Sequence, residues 1–174
     1  MVRKVEVVSY RSEWESRFLA EKDVLLKTFT PKQVTVHHIG STSVPSLAAK
    51  PIVDIMIESN SLEIFDQNTQ KLEEMGYEAR GENGIPGRRY FVKFSPEGER
   101  LIHLHAFQTE NPEINRHLVF RDYLREHPTH SKRYGEIKLE AANKFPWDID
   151  KYISYKDPII KELEKLAYQW KKKD

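Results

Sequence analysis

No cysteine occurs anywhere in the 174 residues, and that absence removes a disulfide scaffold, a thiolate zinc site and a cysteine nucleophile together. Any metal ligand must then be a histidine or a carboxylate. Net charge is nearly absent as well. Lys and Arg total 28 against 27 Asp and Glu, so the whole-molecule field is too weak to gather nucleic acid or an anionic membrane. An anion site has to be local. No apolar run approaches the ~20 residues a membrane-spanning helix needs, and the opening MVRKVEVVSY is too short in apolar residues for a secretory signal. The expectation is a cytoplasmic protein with neither a membrane partner nor a strong nucleic-acid signal, its oligomeric state left open. Linkers, internal repeats and low-complexity tracts are missing too. What is present, 39% hydrophobic and 32% charged residues, is too apolar for general disorder and predicts a single domain over residues 1–174.

The pattern of residues predicts a mixed α+β fold. Val5, Val7 and Val8 form a short strand-like run. Ser12 with Glu15 three residues later suggests a capping box for a helix reaching about Lys27, with Trp14, Phe18, Leu25 and Phe29 on its buried stripe. Val34 to Ile39 is β-branched and runs into a turn at Gly40-Ser41, and Pro51 to Glu58 is apolar at nearly every position, as in a strand covered on both faces. A helix over Ser61 to Met75 is closed by Gly76. Arg88 to Phe94 and Leu101 to Phe107 make a β-hairpin about the turn Ser95-Pro96-Glu97-Gly98. Two helices follow from Asn111, interrupted at His127-Pro128 and ended near Pro146, and a last helix is expected with Asp157 as its cap and Pro158 at its first position. Strands come first and helices fill the last third.

Candidate chemistry gathers at a few positions. Asp54 interrupts an apolar strand, and an ionised carboxylate there is costly without a partner. It is either a metal or general-base carboxylate at the pocket end of the strand, or a carboxylate paired with a buried Arg or capping a neighbouring turn. Ile39 to Ser43 clusters hydroxyls and backbone N–H groups at Gly40, Ser41, Thr42 and Ser43, suited to phosphate oxygens, although an ordinary capped turn has the same composition. In LIHLHAF, strict alternation puts His103 and His105 on one strand face, while Ile102, Leu104 and Ala106 face the core. With Asp54 these two imidazoles make a two-His, one-carboxylate set suited to Mn, Zn or Fe(II) as much as Mg. His38 is a weaker addition. Arg89 and Lys93 share a face of the preceding strand, and His117, Arg121 and Arg125 recur every fourth residue, so they form either an anion-binding rim or a solvated basic stripe. Lys138 lies on the stripe that Tyr134, Ile137 and Ala141 would bury, and a half-buried lysine normally meets an anion.

A Gly-Ser turn followed about a dozen residues later by an aspartate in an apolar strand resembles the nucleotidyltransferase signature. Nearly the whole chain resembles the GrpB family, whose members are assigned to that superfamily. The resemblance rests on Tyr10 and Trp14, on HIGSTSVPSLAAKPIVDI from His38, on RRYFVKF from Arg88 and on HLHAF from His103. It continues through RHLVFRDYLREHP from Arg116 and the closing Tyr152, Lys156, Ala167 and Trp170. It implies a small mixed sheet flanked by helices, with a pocket between the Gly-Ser turn, the Asp54 strand and the His103/His105 strand. In the superfamily the turn grips a triphosphate and strand carboxylates hold magnesium. Two positions depart from the pattern. Met56 stands where the superfamily carries a second acid, which leaves a two-magnesium arrangement incomplete, and Ser46 stands where the family generally has glycine.

The functional expectation is a transferase that uses a divalent metal (Mg or Mn, with Zn as a further candidate), a nucleotide or other phosphorylated small molecule, and a small acceptor. Asp54, His103 and His105 are its catalytic and metal-binding residues. Gly40, Ser41, Thr42, Ser43, Lys50, Arg89, Arg121 and Lys138 are its substrate-binding residues. A nucleotide-binding module without turnover and a His/Asp metal-dependent hydrolase share the same frame.

Overall fold

The computed structural model describes residues 2–174. Its architecture is mixed α+β: a five-stranded sheet in the order β1-β2-β5-β4-β3 with six helices. The strands are β1 (Thr35–Ile39), β2 (Val53–Ser59), β3 (Tyr77–Ala79), β4 (Arg88–Phe94) and β5 (Arg100–Gln108). The helices are α1 (Glu13–Phe29), α2 (Glu63–Gln67), α3 (Thr69–Glu74), α4 (Pro112–Glu126), α5 (Pro128–Lys144) and α6 (Ile149–Lys172). Only β2 and β5 run parallel, and their register sets Asp54 beside His103.

The alternation of each strand divides two jobs between the faces of the sheet. Val53, Ile55 and Ile57 of β2, Ile102, Leu104 and Ala106 of β5 and Phe91 of β4 pack against Trp14, Phe18, Leu25 and Phe29 of α1, with Phe65 of α2 and Leu72 of α3. Met56 and Phe107 point the other way and meet Ile114 at the start of α4. That second face carries the site. Helices α4, α5 and α6 pack together through Val119, Tyr123, Tyr134, Ile159 and Leu163, and they cover Val44 and Leu47 of the segment after the Gly-Ser turn. No helix among the described residues is long and apolar enough to cross a membrane.

Several local expectations are corrected. The Val5 to Val8 run forms no strand, and its one ladder contact is the bridge from Val8 to Ala49. Ser12 precedes α1 without a side-chain cap, because its own backbone is already helical. The helix over 61–75 divides at Asn68 into α2 and α3, and β3 follows it as an edge strand too short to show a period. The last helix begins at Ile149, capped by Asp148, whose side chain accepts from the Lys151 N–H at 3.0 Å; Pro158 lies inside it. An interior proline costs a hydrogen bond and crowds the preceding turn. Burial of Tyr152 one side of it and of Ile159 and Leu163 on the other holds the helix together across the break.

Ser46 has φ +68°, the left-handed region that glycine occupies without cost. Serine at this position, where the resemblance implies glycine, therefore strains the turn. We expect Ser46→Gly to stabilise the protein by about 1 kcal/mol, measured by urea unfolding; an unchanged midpoint would mean that this turn relaxes freely.

Candidate functional site

The site is built where β1 ends and β2 and β5 begin, against the C-terminal helices. β1 delivers Gly40, whose φ of +70° and ψ of −172° turn the chain into a single 3-10 turn at Ser41–Ser43. A Cβ at Gly40 would lie 2.7 Å from Asp54 Oδ2, so the turn and the aspartate are packed as one unit.

Asp54 Oδ1 is approached by two imidazoles, His105 Nε2 at 3.2 Å and His103 Nδ1 at 3.6 Å. Arg88 Nη1 lies 3.3 Å from the other nitrogen of His105. A guanidinium only donates, so His105 Nδ1 accepts and its Nε2 carries the hydrogen given to Asp54. Burial alone would raise the Asp54 carboxyl, but His103 and then His105 outweigh it and hold the group well below the ordinary carboxylate range. His103 Nε2 is buried and has no hydrogen-bond partner. His117 of α4, its ring centroid 5.8 Å from that of His105, is pushed down to about 4, first by burial and then by its neighbour His105.

Beside this trio lies a cavity of about 280 Å3. Gly40, Ser41, Thr42, Lys50, Asp54, His103 and Lys138 all line it, together with His117, Tyr134, Tyr152 and Lys156 from the three last helices. Lys138 is only 3% exposed. Its Nζ has no hydrogen-bond partner and sits 4.4 Å above the Tyr134 ring. Burial, then the charges of Lys156 and Lys50, push it well below the ordinary lysine range. Lys156 is lowered to about 8 by burial and then by Lys50. Three lysine amines thus share one small space with the Asp54 carboxylate, whose attraction offsets their burial and mutual repulsion only in part, and a further anion there would favour their protonated forms.

Three expected ligands lie elsewhere. Arg89 is on the opposite face of β4, where its guanidinium grips Asp66 of α2 at 2.7 and 3.2 Å. Arg121 donates to the His38 carbonyl at 3.1 Å and pairs with Asp122, so it braces β1. Ser43 turns its hydroxyl back to the Gly40 carbonyl and does not line the cavity. Arg125 donates to the Ser43 carbonyl at 2.9 Å and supports the turn from behind. Thr42 meets His38 Nε2 at 2.9 Å, and burial against Phe18 lowers that imidazole to about 4.

The donor set does not match a magnesium pair, because fully buried Met56 occupies the place of a second carboxylate. Both imidazoles also close on Asp54 itself, and no three His, Asp or Glu among the described residues are spaced to hold an ion. What the arrangement offers as it stands is a fixed carboxylate, a buried imidazole nitrogen without a hydrogen-bond partner and a nest of lysines.

His117, read from the sequence as a member of a possible anion rim, does line the cavity, whereas Arg88, Arg116, Tyr134, Tyr152 and Lys156 carry no sequence signal that marks them as site residues. Arg88 differs from Arg89 by one step along an alternating strand, and only the pairing of Tyr90 with His105 shows which of the two faces the site. Lys156 precedes the proline taken for a helix start, which hid its place on a helix that passes the cavity.

Comparison with known proteins shows the family and the fold. The family model described as GrpB protein matches residues 4–166. The UPF0157 protein YqkA of Bacillus subtilis is 46% identical over 170 residues, covering 98% of this chain but 49% of that protein, so the chain spans about half of that relative's length. A crystal structure of the conserved protein GrpB from Enterococcus faecalis superposes with a TM-score of 0.88 at 42% identity, covering 94% of this chain and 98% of the other. A structure of the Cid1 poly(U) polymerase bound to MgATP shares the fold at a TM-score of 0.50 and 15% identity, over 75% of this chain and 45% of that one.

Proposed function

This chain belongs to the GrpB family, and from that premise we propose that its pocket binds the phosphates of a nucleotide or another phosphorylated small molecule for transfer to a small acceptor. One observation carries the reading: a buried lysine, Lys138, presents an amine nitrogen without a hydrogen-bond partner to a cavity that the Gly40-Ser41 turn also lines. A buried cation without an anion is costly, and a phosphate supplies that anion. The fold likeness to a poly(U) polymerase makes a nucleotide the first phosphate carrier to test.

Each group has a role in this reading. Lys50, Lys138 and Lys156 neutralise the phosphate charge, and Ser41 with the backbone N–H groups of the turn orients its oxygens. Asp54 stays ionised 3.6 Å from His103 Nδ1 and favours the His103 tautomer with its hydrogen on Nδ1, in which Nε2 is the acceptor. An acceptor hydroxyl attacks phosphorus through its oxygen lone pair, the bond from phosphorus to the leaving phosphate breaks, and the hydroxyl proton passes to His103 Nε2. His105, fixed by Arg88, is a positioning residue for Asp54. A divalent cation at Asp54, His103 and His105 would enter in exchange for the contacts among them, and no step above depends on it.

ATP titrated calorimetrically into the wild-type chain and into Asp54→Ala, with Mg, Mn, Zn or a chelator, tests the proposal. Binding to the wild type is expected, with heat changes that depend on Asp54 if the trio takes part. Absence of nucleotide binding under every condition overturns it. Phosphate released from ATP alone, without an acceptor, would identify a hydrolase, and binding indifferent to Asp54→Ala a module without turnover.

A further inference from the structure

A larger groove, about 840 Å3, adjoins the phosphate pocket. It lies between the first residues of the chain, the start of α1, the turn joining β4 to β5 and the segment that leads into α6. Lys50, Ile52 and His103 line both cavities. The two spaces therefore share the wall that carries His103, and the roles assigned above leave the groove without an occupant.

Its charge is distinctive. Six of its lining side chains are Lys or Arg and four are Glu. Among them the one ion pair within the described residues joins Arg11 to Glu13 at 3.7 Å, and Arg3, Arg17 and Arg100 have no carboxylate in salt-bridge contact. Burial and then the proximity of Arg100 lower the Arg3 guanidinium, and Glu99 and Glu6 offset this only in part, so two forks that match phosphate or carboxylate oxygens line one groove with no carboxylate in contact. The groove also carries Trp147, 59% exposed, and Ile149, 43% exposed, a planar apolar surface of the kind small-molecule sites use for contact area. Its volume suits a small molecule of its own.

The same nucleotide cannot satisfy both cavities. With its phosphates among Lys50, Lys138 and Lys156, it would reach the groove with an uncharged base and sugar, and Arg3 and Arg100 would remain unpaired. We propose that the groove binds the second substrate, a small molecule with a phosphate or carboxylate for Arg3 and Arg100 and a planar apolar body for Trp147, its reactive end at His103. The role as second substrate rests on the phosphate-pocket reading; the binding itself does not.

Two probes, 1-naphthyl phosphate and 1-naphthoate, separate the two anion types. Each is titrated into the full chain, with and without saturating ATP, and followed by tryptophan fluorescence and calorimetry. Expected are a complex that forms beside bound ATP, a fluorescence change lost in Trp147→Ala, and affinity reduced at least about tenfold in the Arg3→Ala/Arg100→Ala double variant. That variant should bind ATP as the wild type does, and Lys138→Met should change naphthyl binding by no more than about twofold. Displacement of the naphthyl ligands by ATP overturns the proposal, because the groove and pocket would then serve one molecule. So does wild-type affinity in the double arginine variant, whose folding is checked by its melting curve. If ATP binds nowhere, the phosphate-pocket reading fails, and the groove is still judged by the arginine and Lys138 variants alone.

Discussion

Replacing Lys138 with methionine should make the ligand-free protein more stable by about 1–3 kcal/mol while weakening phosphate binding at least about tenfold. The two effects have one cause. Lys138 Nζ is buried, lacks a hydrogen-bond partner and shares its surroundings with Lys50 and Lys156. The Tyr134 ring beneath it, 4.4 Å away, returns part of that cost through its negative face. Methionine keeps the unbranched shape, fills the space beside the aromatic ring and removes the unpaired polar atom. For a chain of this size the gain corresponds to roughly 2–12 °C in Tm, readable by calorimetry. A destabilised variant would show that the ammonium is stabilising as it stands, and that no anion is missing.

The same crowding predicts how binding depends on pH. Lys156 is lowered to about 8 by burial and by Lys50. A phosphate favours the protonated amine, so its binding raises that value and takes up protons. Affinity is accordingly full below pH 8 and falls as pH rises through it, and the calorimetric heat near pH 8 varies with the ionisation enthalpy of the buffer.

How far the sequence discloses this site follows from which physical signals are local. The strand period is local, so the placement of His103 and His105 on one face and of Leu104 on the other follows from alternation alone. The apolar run around Asp54 is also local, and it marks a strand covered on both faces, as β2 is. Two other signals are not local. Whether Arg88 or Arg89 faces the histidines depends on the register between β4 and β5, and a shift of one residue exchanges them. Arg121 and Arg125 have the helical spacing of a phosphate rim, yet they are spent on the carbonyls of His38 and Ser43, partners more than eighty residues away in sequence. Pro158 misleads for a related reason. A proline is a reliable stop only where nothing else holds the helix, and the packing of Tyr152 and Leu163 overrides it. The overridden boundary conceals Lys156, and with it the third cation of the pocket.

Gly40→Ala should be the most damaging small substitution in the chain, costing about 3 kcal/mol or more and abolishing phosphate binding. Two independent penalties meet there. The backbone at φ +70° and ψ −172° belongs to a region open almost only to glycine. The added methyl would also lie 2.7 Å from Asp54 Oδ2 and 3.1 Å from Asp54 Cβ. Asp54 cannot yield cheaply, since its other oxygen is fixed by His105, which Arg88 fixes in turn. Gly81→Ala separates the two penalties: Gly81 also has positive φ, +58°, but a Cβ there meets nothing within 4 Å. That variant should lose only about 1 kcal/mol, the strain alone. In an Asp54→Ala background the carboxylate oxygens are gone, so Gly40→Ala should cost less than it does in the wild type. Urea unfolding of the four proteins in that cycle measures the coupling. Additive penalties would mean that the turn and the aspartate are mere neighbours; a smaller penalty in the double variant would establish that the phosphate-facing turn and the carboxylate are built as one part.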